Sequence, residues 1–350
     1  MNSNFELDFY DFDLPEHLIA KVPLSSRDAS RLLLVEIYKN QFAELSHFSS
    51  ILDIFIPGDV LVLNETRVSK RRVFLNNPKG RVHEGIFVEP SFELNSWKVL
   101  LRNSKKIFAG DVLVSSKNPN LEFKILKKVE PYCVLQANQP LLEEDFQMIG
   151  EVPIPPYLKR ESNVEDELRY QTVYAKNPGS IAAPTAGFHF TEELLESIRK
   201  KDVMTTSINL NIGYGTFKPL SPENFETKSL HEETYSVSKE TADVLNLAKK
   251  ENRRIIAIGT TSLRTLESIY NYNTKQFHAG DGKTDIFITP GDPVDSIDGI
   301  VTNFHLPKSS LFLLVCAFAG RDLMMESYHH AIADNFRFFS YGDAMCIMRR

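Results

Sequence analysis

Three cysteines in 350 residues are too few and too far apart to staple a small fold. Cys133, Cys316 and Cys346 are odd in number and stand among Val, Leu, Ala, Ile and Met, the setting of buried structural thiols rather than of a metal or redox site. No apolar run approaches the length of a membrane span, since LFLLVCAFAG at 311–320 is about half of it. The N-terminal stretch MNSNFELDFYDFDLPEHL is acidic, has no basic patch ahead of an apolar segment and shows no small-residue cleavage site. A secretory signal is therefore not expected, and a soluble, cytoplasmic protein is. Repeats at a fixed period and low-complexity tracts are also missing, and 42% hydrophobic with 25% charged residues are ordinary globular values. Positive charge is not in excess. At a net charge of −6 no global field attracts nucleic acid, which leaves only local clusters: Lys70, Arg71 and Arg72, then Arg102, Lys105 and Lys106, then Lys127 and Lys128.

Several catalytic signatures are absent as well. The segment IGTTSLR at 258–264 has one Gly and three hydroxyl residues but lacks the second Gly and the Lys of a phosphate-binding loop, which excludes a nucleoside triphosphatase. No nucleophile elbow occurs. His189, His231 and His305 have no second His or Cys at metal-ligand spacing, so no zinc site is expected.

What is present divides by character. Between about 68 and 152 short strand-like pieces (RRVFL, EGIFVEP, SWKVLLR, DVLVSS, LEFKIL, YCVLQA) alternate with Asn, Pro, Gly and Lys, the spacing of a small antiparallel barrel or sandwich. VPIPPYLKR at 152–160 is a rigid, extended exit. Beyond it, helical patterns such as TEELLESIRKK (191–201) and SKETADVLNLAKKEN (238–252) alternate with strand-like runs such as RRIIAIG (253–259) and TDIFITP (284–290). This is an α/β pattern. Because the first 66 residues hold only partial elements, a discontinuous α/β domain (1–67 and 153–350) with an inserted β-barrel domain (68–152) is predicted.

Chemistry has four candidate places. RRIIAIGTTSLRTLES at 253–268 reads strand, tight turn, helix, with Thr260, Thr261 or Ser262 as the cap and Arg264 in the first turn; such a helix start can hold a carboxylate or phosphate. The glycines of NIGYGTFKPL (211–220) permit either close backbone approach or a strand bulge. In SLHEETYSV (229–237) His231 and Glu233 are two apart, on one face if the segment is a strand, and can form a proton-transfer pair. His305 lies in a loop ahead of a helix capped by Ser309 or Ser310.

These stretches together resemble one family over nearly the whole chain, the S-adenosylmethionine:tRNA ribosyltransferase-isomerases of queuosine biosynthesis. The matching blocks are DFDLPEHLIAKVPLSSRDASRLLL (11–34), GDVLVLNETRV (58–68), PPYLKR (155–160), RYQTVYAKNPGSIAAPTAGFHFTEELL (169–195), IGYGTFKPL (212–220), LHEETY (230–235), IGTTSLRTLES (258–268), TDIFITPG (284–291), TNFHLPKSSLFLLVCAFAG (302–320) and FRFFSYGDAM (336–345). Two departures stand out: Glu65 where the family usually has Asp, and Lys228 with Ser229 where it often carries a further His.

The resemblance implies transfer of the ribosyl part of S-adenosylmethionine onto 7-aminomethyl-7-deazaguanine at the tRNA wobble position. Isomerisation of the sugar then gives epoxyqueuosine-tRNA, adenine and methionine. S-adenosylmethionine would be consumed as a co-substrate. Its sulfonium both acidifies the 5′ carbon and makes methionine a leaving group, so no metal or true cofactor is implied, and a monomer is expected. On that reading His189, His231 with Glu233, and His305 are the proton-transfer candidates. Asp343 would hold the amino group or ribose hydroxyls. Arg169, Arg264 and the Gly259–Thr260–Thr261–Ser262 turn would anchor the carboxylate, and Gly187, Phe188 and Phe190 would wall the pocket near adenine or the sulfonium. Arg67, Lys70, Arg71, Arg72, Arg102 and Lys105 are the expected tRNA contacts. A non-catalytic RNA-binding protein fits less well, because the matched blocks concentrate outside the barrel, which shows no evident aromatic stacking motif. An ordinary methyltransferase would need a Gly-rich loop after a first strand, and residues 1–60 supply none.

Overall fold

VLVLN, the strand Val60–Asn64, is apolar in four of five positions and buried throughout, the signature of a strand covered on both faces. It pairs in parallel with Met204–Leu210 on one side and with Ile255–Ile258 on the other. A strand from the first fifth of the chain thus has both neighbours beyond residue 200, so the sheet cannot be completed until the chain has returned. The computed structural model describes residues 7–350; the first six, where the acidic N-terminal stretch begins, lie outside the described residues.

The full sheet has nine strands in the order Gly280–Ile286, Ser229–Val237, Met204–Leu210, Val60–Asn64, Ile255–Ile258, Gly299–Asn303, Ala344–Met348, Leu32–Glu36 and Gln41–Leu45. Its centre is parallel, while Gly299–Asn303 meets Ala344–Met348 antiparallel and both margins are antiparallel. Helices cover it. Glu192–Lys200 starts where Thr191 accepts from the Leu194 N–H, and Lys239–Lys250 where Ser238 accepts from Thr241. LFLLVCAFAG forms the buried helix Ser310–Ala319, capped by Ser309. Among the described residues no helix is long and apolar enough to cross a membrane. All three cysteines are buried and free.

The six strand-like pieces after residue 68 form a closed antiparallel barrel. Arg72–Asn76, Val82–Pro90, Ser96–Leu101, Tyr132–Ala137, Glu122–Val129 and Val112–Ser115 are neighbours in that order, and Leu75 opposite Ser115 closes the ring. Alternate residues point inward: Val73, Leu75, Phe87, Val99, Leu113, Phe123, Ile125 and Leu135 fill the interior with Phe146 and the lone Trp97. A period of two in short strands therefore encodes this core directly.

The chain divides into two compact units. One comprises the chain up to Thr66, Gln171–Asn177 and Ala183–Arg350; the other comprises Arg67–Tyr170 and Pro178–Ala182, so it runs past the Pro-rich exit. The strand expected at 284–290 lies upstream, at Gly280–Ile286. Its antiparallel register against Ser229–Val237 sets this, and the Asp292 carboxylate, accepting from the Thr289 N–H and hydroxyl, folds the following residues into a turn.

Candidate active site

The helix Thr260–Ile269 begins without a side-chain cap, and its cap position is Gly259 rather than Thr260, Thr261 or Ser262. Gly259 has φ 90° and ψ 155°, a conformation closed to residues with a Cβ. It is this backbone, leaving the strand Ile255–Ile258 at a sharp angle, that a hydroxyl residue could not adopt. The hydroxyls are then used otherwise: Ser262 donates to the Ile258 carbonyl, while Thr261 Oγ1 is buried without a partner. The first N–H groups of the helix have no intrahelical acceptor, and the dipole places positive potential there.

One turn further in, Arg264 is buried and its Nη1 donates to Glu233 Oε2. Arg264 Nε and Nη2 are also buried and have no hydrogen-bond partner among the described residues. Glu233 comes from the strand Ser229–Val237, and its Oε1 accepts from the Gly213 N–H at 3.0 Å and lies 3.0 Å from His231 Nε2. Burial by itself would raise the Glu233 carboxyl, but the Arg264 charge, the His231 bond and the Gly213 N–H overcome it and hold the group below its ordinary value. The carboxylate is thus ionised and can only accept. His231 Nε2 must then carry the imidazole proton, which leaves Nδ1 as the basic nitrogen. The His231 side chain keeps 26% of its exposure, and Nδ1 lies beside the Gly215 backbone. Of the two readings of NIGYGTF, close approach is the one seen: the imidazole lies on the backbone of Gly215, where a Cβ would come within 2.2 Å of His231 Cγ.

His189 has a different environment. Its Nδ1 is 2.7 Å from Ser30 Oγ and its Nε2 is 2.9 Å from Asn303 Nδ2. The Asn303 amide is oriented by Thr185, which donates to Oδ1, and by the Asp343 carbonyl, which accepts from Nδ2. Nε2 of His189 therefore accepts, Nδ1 donates to Ser30, and both nitrogens are occupied. Stacking on Phe48 completes the setting, with 5.0 Å between ring centroids. His305 is buried with Nε2 2.9 Å from Thr302 Oγ1. Burial lowers the pKa of each histidine to about 3, reinforced for His189 by the Arg27 charge.

These two neutral histidines predict acid sensitivity. A histidine titrating near 6.5 when unfolded and near 3 when folded contributes stability that is complete above the unfolded value and is lost as pH falls towards the folded one. The unfolded chain binds the extra protons. Each should cost about 1 kcal/mol per pH unit below about 6, so the urea midpoint is expected to fall between pH 7 and pH 5. An unchanged midpoint over that range would contradict the assignment of both as neutral.

The remaining sequence candidates are distributed as follows. Asp343 accepts from the backbone N–H groups of Arg31 and Arg337, one on each oxygen, while burial pushes its carboxyl up. Phe190 is fully buried in the core against Phe48. Phe188 stacks on Tyr341 and its carbonyl accepts from Arg27. Gly187 packs against Thr172 and Tyr174. Arg169 belongs to the barrel-containing unit, 4.0 Å from Glu165. In the same unit Lys70 pairs with Glu167, Arg72 with Glu84 and Glu151, and Arg102 with Glu84. Arg71 is built into the barrel, over the rings of Trp97 and Phe146 and paired with Glu143. Arg67 and Lys105 are exposed. Glu65 uses its longer carboxylate to accept from Lys176 and Asn177, and Lys228 is engaged by Asp292 and Thr289.

Ser30, Thr185 and Asn303, which set the tautomer of His189, were not legible as site residues. All three are ordinary polar residues far apart in the chain: Thr185 and Asn303 are separated by 118 positions, and His189 meets Ser30 across 159.

Residues 7–347 match the model of a family described as queuosine biosynthesis protein. The chain belongs to this family. Relatives named S-adenosylmethionine:tRNA ribosyltransferase-isomerase are 44% identical in Staphylococcus epidermidis, over 97% of this chain and 98% of the relative, and 44% identical in Staphylococcus haemolyticus, with the same coverage. A crystal structure of S-adenosylmethionine tRNA ribosyltransferase from Thermotoga maritima superposes with a TM-score of 0.56 at 33% identity, covering 97% of this chain and all of that one. Family membership thus extends through both compact units.

Proposed function

We infer that this chain transfers and isomerises the ribosyl part of S-adenosylmethionine onto 7-aminomethyl-7-deazaguanine at the wobble position of tRNA, giving epoxyqueuosine-tRNA, adenine and methionine. The observation that carries this reading is the linked array His231–Glu233–Arg264 beside an uncapped helix start. The reaction needs a base at the 5′ carbon, whose protons the sulfonium acidifies, and anchors for the methionine end. His231 Nδ1, with Nε2 held by the ionised Glu233, meets the first requirement. The helix N–H groups, Thr261 Oγ1 and the two partnerless donors of Arg264 meet the second, because buried donors left unsatisfied in a native protein call for an acceptor. A carboxylate supplies one, and a charged acceptor is the kind that both the guanidinium and the helix dipole favour.

His189, with both nitrogens occupied, shapes the site and moves no proton in this reading. His305 and Asp343 likewise hold backbone and neighbouring side chains. S-adenosylmethionine is a consumed substrate, and tRNA approaches a protein of net charge −6 through local cations, among which Arg67 and Lys105 are exposed. Incubation with S-adenosylmethionine and precursor tRNA is expected to release free adenine and methionine in equal amounts. Release of S-adenosylhomocysteine instead would indicate methyl transfer, and binding of tRNA with no small-molecule product would indicate a non-catalytic role; either result overturns the reading.

A further inference from the structure

Tyr174 Oη and Thr172 Oγ1 are also buried without hydrogen-bond partners among the described residues. Both belong to the short return Gln171–Asn177 that joins the unit containing the sheet. They stand together against the dipeptide Ala186–Gly187: a Cβ at Gly187 would lie 2.1 Å from Tyr174 Oη and 2.6 Å from Thr172 Cγ2. The opposite neighbour of that dipeptide is the helix start, since a Cβ at Gly259 would be 3.6 Å from both Ala186 Cβ and Thr261 Oγ1. Ala186 and Gly187 therefore separate two groups of unsatisfied polar atoms that differ in charge. On the helix side are a dipole end and a guanidinium. On the other are two neutral hydroxyls, and burial pushes the Tyr174 phenol up, so it stays protonated.

We propose that Thr172 and Tyr174 form a neutral subsite that hydrogen-bonds the adenosine end of S-adenosylmethionine, with the methionine carboxylate held across Ala186–Gly187 at the helix start. The argument rests on the function inferred above for the identity of the ligand, and on the sorting of unsatisfied atoms for its orientation. A hydroxyl buried without a partner destabilises the protein that carries it, so its retention calls for a bound acceptor or donor. Hydroxyls can give and take hydrogen bonds with ring nitrogens and ribose oxygens alike, whereas they are weaker partners for a carboxylate than a guanidinium with N–H groups to spare. Arg27, whose charge partly offsets the effect of burial on the Tyr174 phenol, donates to the Phe188 carbonyl.

The two roles open to these hydroxyls predict opposite signs. If they bind ligand, Tyr174→Phe and Thr172→Val remove an unsatisfied group and leave the ligand-free protein as stable as before or more so. Adenosine and S-adenosylmethionine should then bind about three- to tenfold more weakly to each variant in calorimetric titration, with methionine binding unchanged. Loss of stability in the ligand-free variants would assign the hydroxyls to the fold and overturn the proposal. So would unchanged adenosine affinity, or weaker methionine binding. Adenine release from precursor tRNA is measured in parallel on the unsubstituted protein. Its absence there, with adenosine affinity still falling in the variants, would refute the proposed reaction while supporting the subsite.

Discussion

His231→Gln is expected to lower single-turnover adenine release by about 10²–10⁴-fold, the range a positioned proton-transfer group contributes. Glutamine retains an N–H donor toward Glu233 and a side chain that can lie on Gly215, but it has no basic nitrogen. The substitution therefore removes the proposed chemistry and leaves the hydrogen bond that holds the residue in place. Far-ultraviolet circular dichroism and S-adenosylmethionine affinity should both be close to those of the unsubstituted protein, because neither the helix start nor Arg264 is touched. Adenine release within a factor of a few of normal, from a folded variant, would remove His231 as acid or base. His189→Gln serves as the contrasting case: with its nitrogens held by Ser30 and Asn303, its loss should appear first in stability.

Glu233→Gln should destabilise the protein by about 3–5 kcal/mol, since it leaves a buried guanidinium without its counter-charge. Arg264 is 4% and Glu233 3% exposed, so little water is available to compensate. Three contacts meet on this carboxylate, from Arg264, His231 and the Gly213 N–H, and only the charge–charge contact is lost outright in the amide. Arg264→Met alone leaves a buried carboxylate in the same predicament. The double variant removes both charges and should be less destabilised than either single one, a coupling that a double-mutant cycle isolates. Urea unfolding followed by circular dichroism is the suitable probe, because the lone Trp97 lies in the barrel and reports on the other unit. Additive losses in the double variant would show that the two side chains do not share the ion pair described here. Glu233→Gln and the double variant should lose adenine release, as His231 then lacks an anionic partner to fix its tautomer, and Arg264→Met should weaken S-adenosylmethionine binding through the lost guanidinium.

The parts that could be read from the residues are those encoded by neighbours in the chain. Each of the six barrel strands was visible as a short alternating run, because a period of two places every second side chain inward and the barrel needs nothing else to define its interior. Helix starts at Thr191, Ser238 and Ser309 were visible because a cap bonds to an N–H three residues on. His231 and Glu233 could be paired from sequence for the same reason, as their contact spans two residues of one strand. Gly259 was not recognisable as the cap, because what selects it is a backbone angle set by where the strand must turn, with three better capping residues immediately after it.

Composition, periodicity and the ten family blocks determined the fold class, the inserted barrel and the family without reference to coordinates. How the three histidines differ in their surroundings was decided only by tertiary structure. His189, His231 and His305 are equivalent as letters, and their difference lies in partners 2 to 159 residues away: Glu233 with Arg264 behind it, Ser30 with Asn303, and Thr302 beside a buried His305. The order of the sheet strands brings those partners in, and desolvation together with the hydrogen bonds they make then fixes which nitrogen bears a proton. Neither quantity is a property of a residue or of its neighbours along the chain.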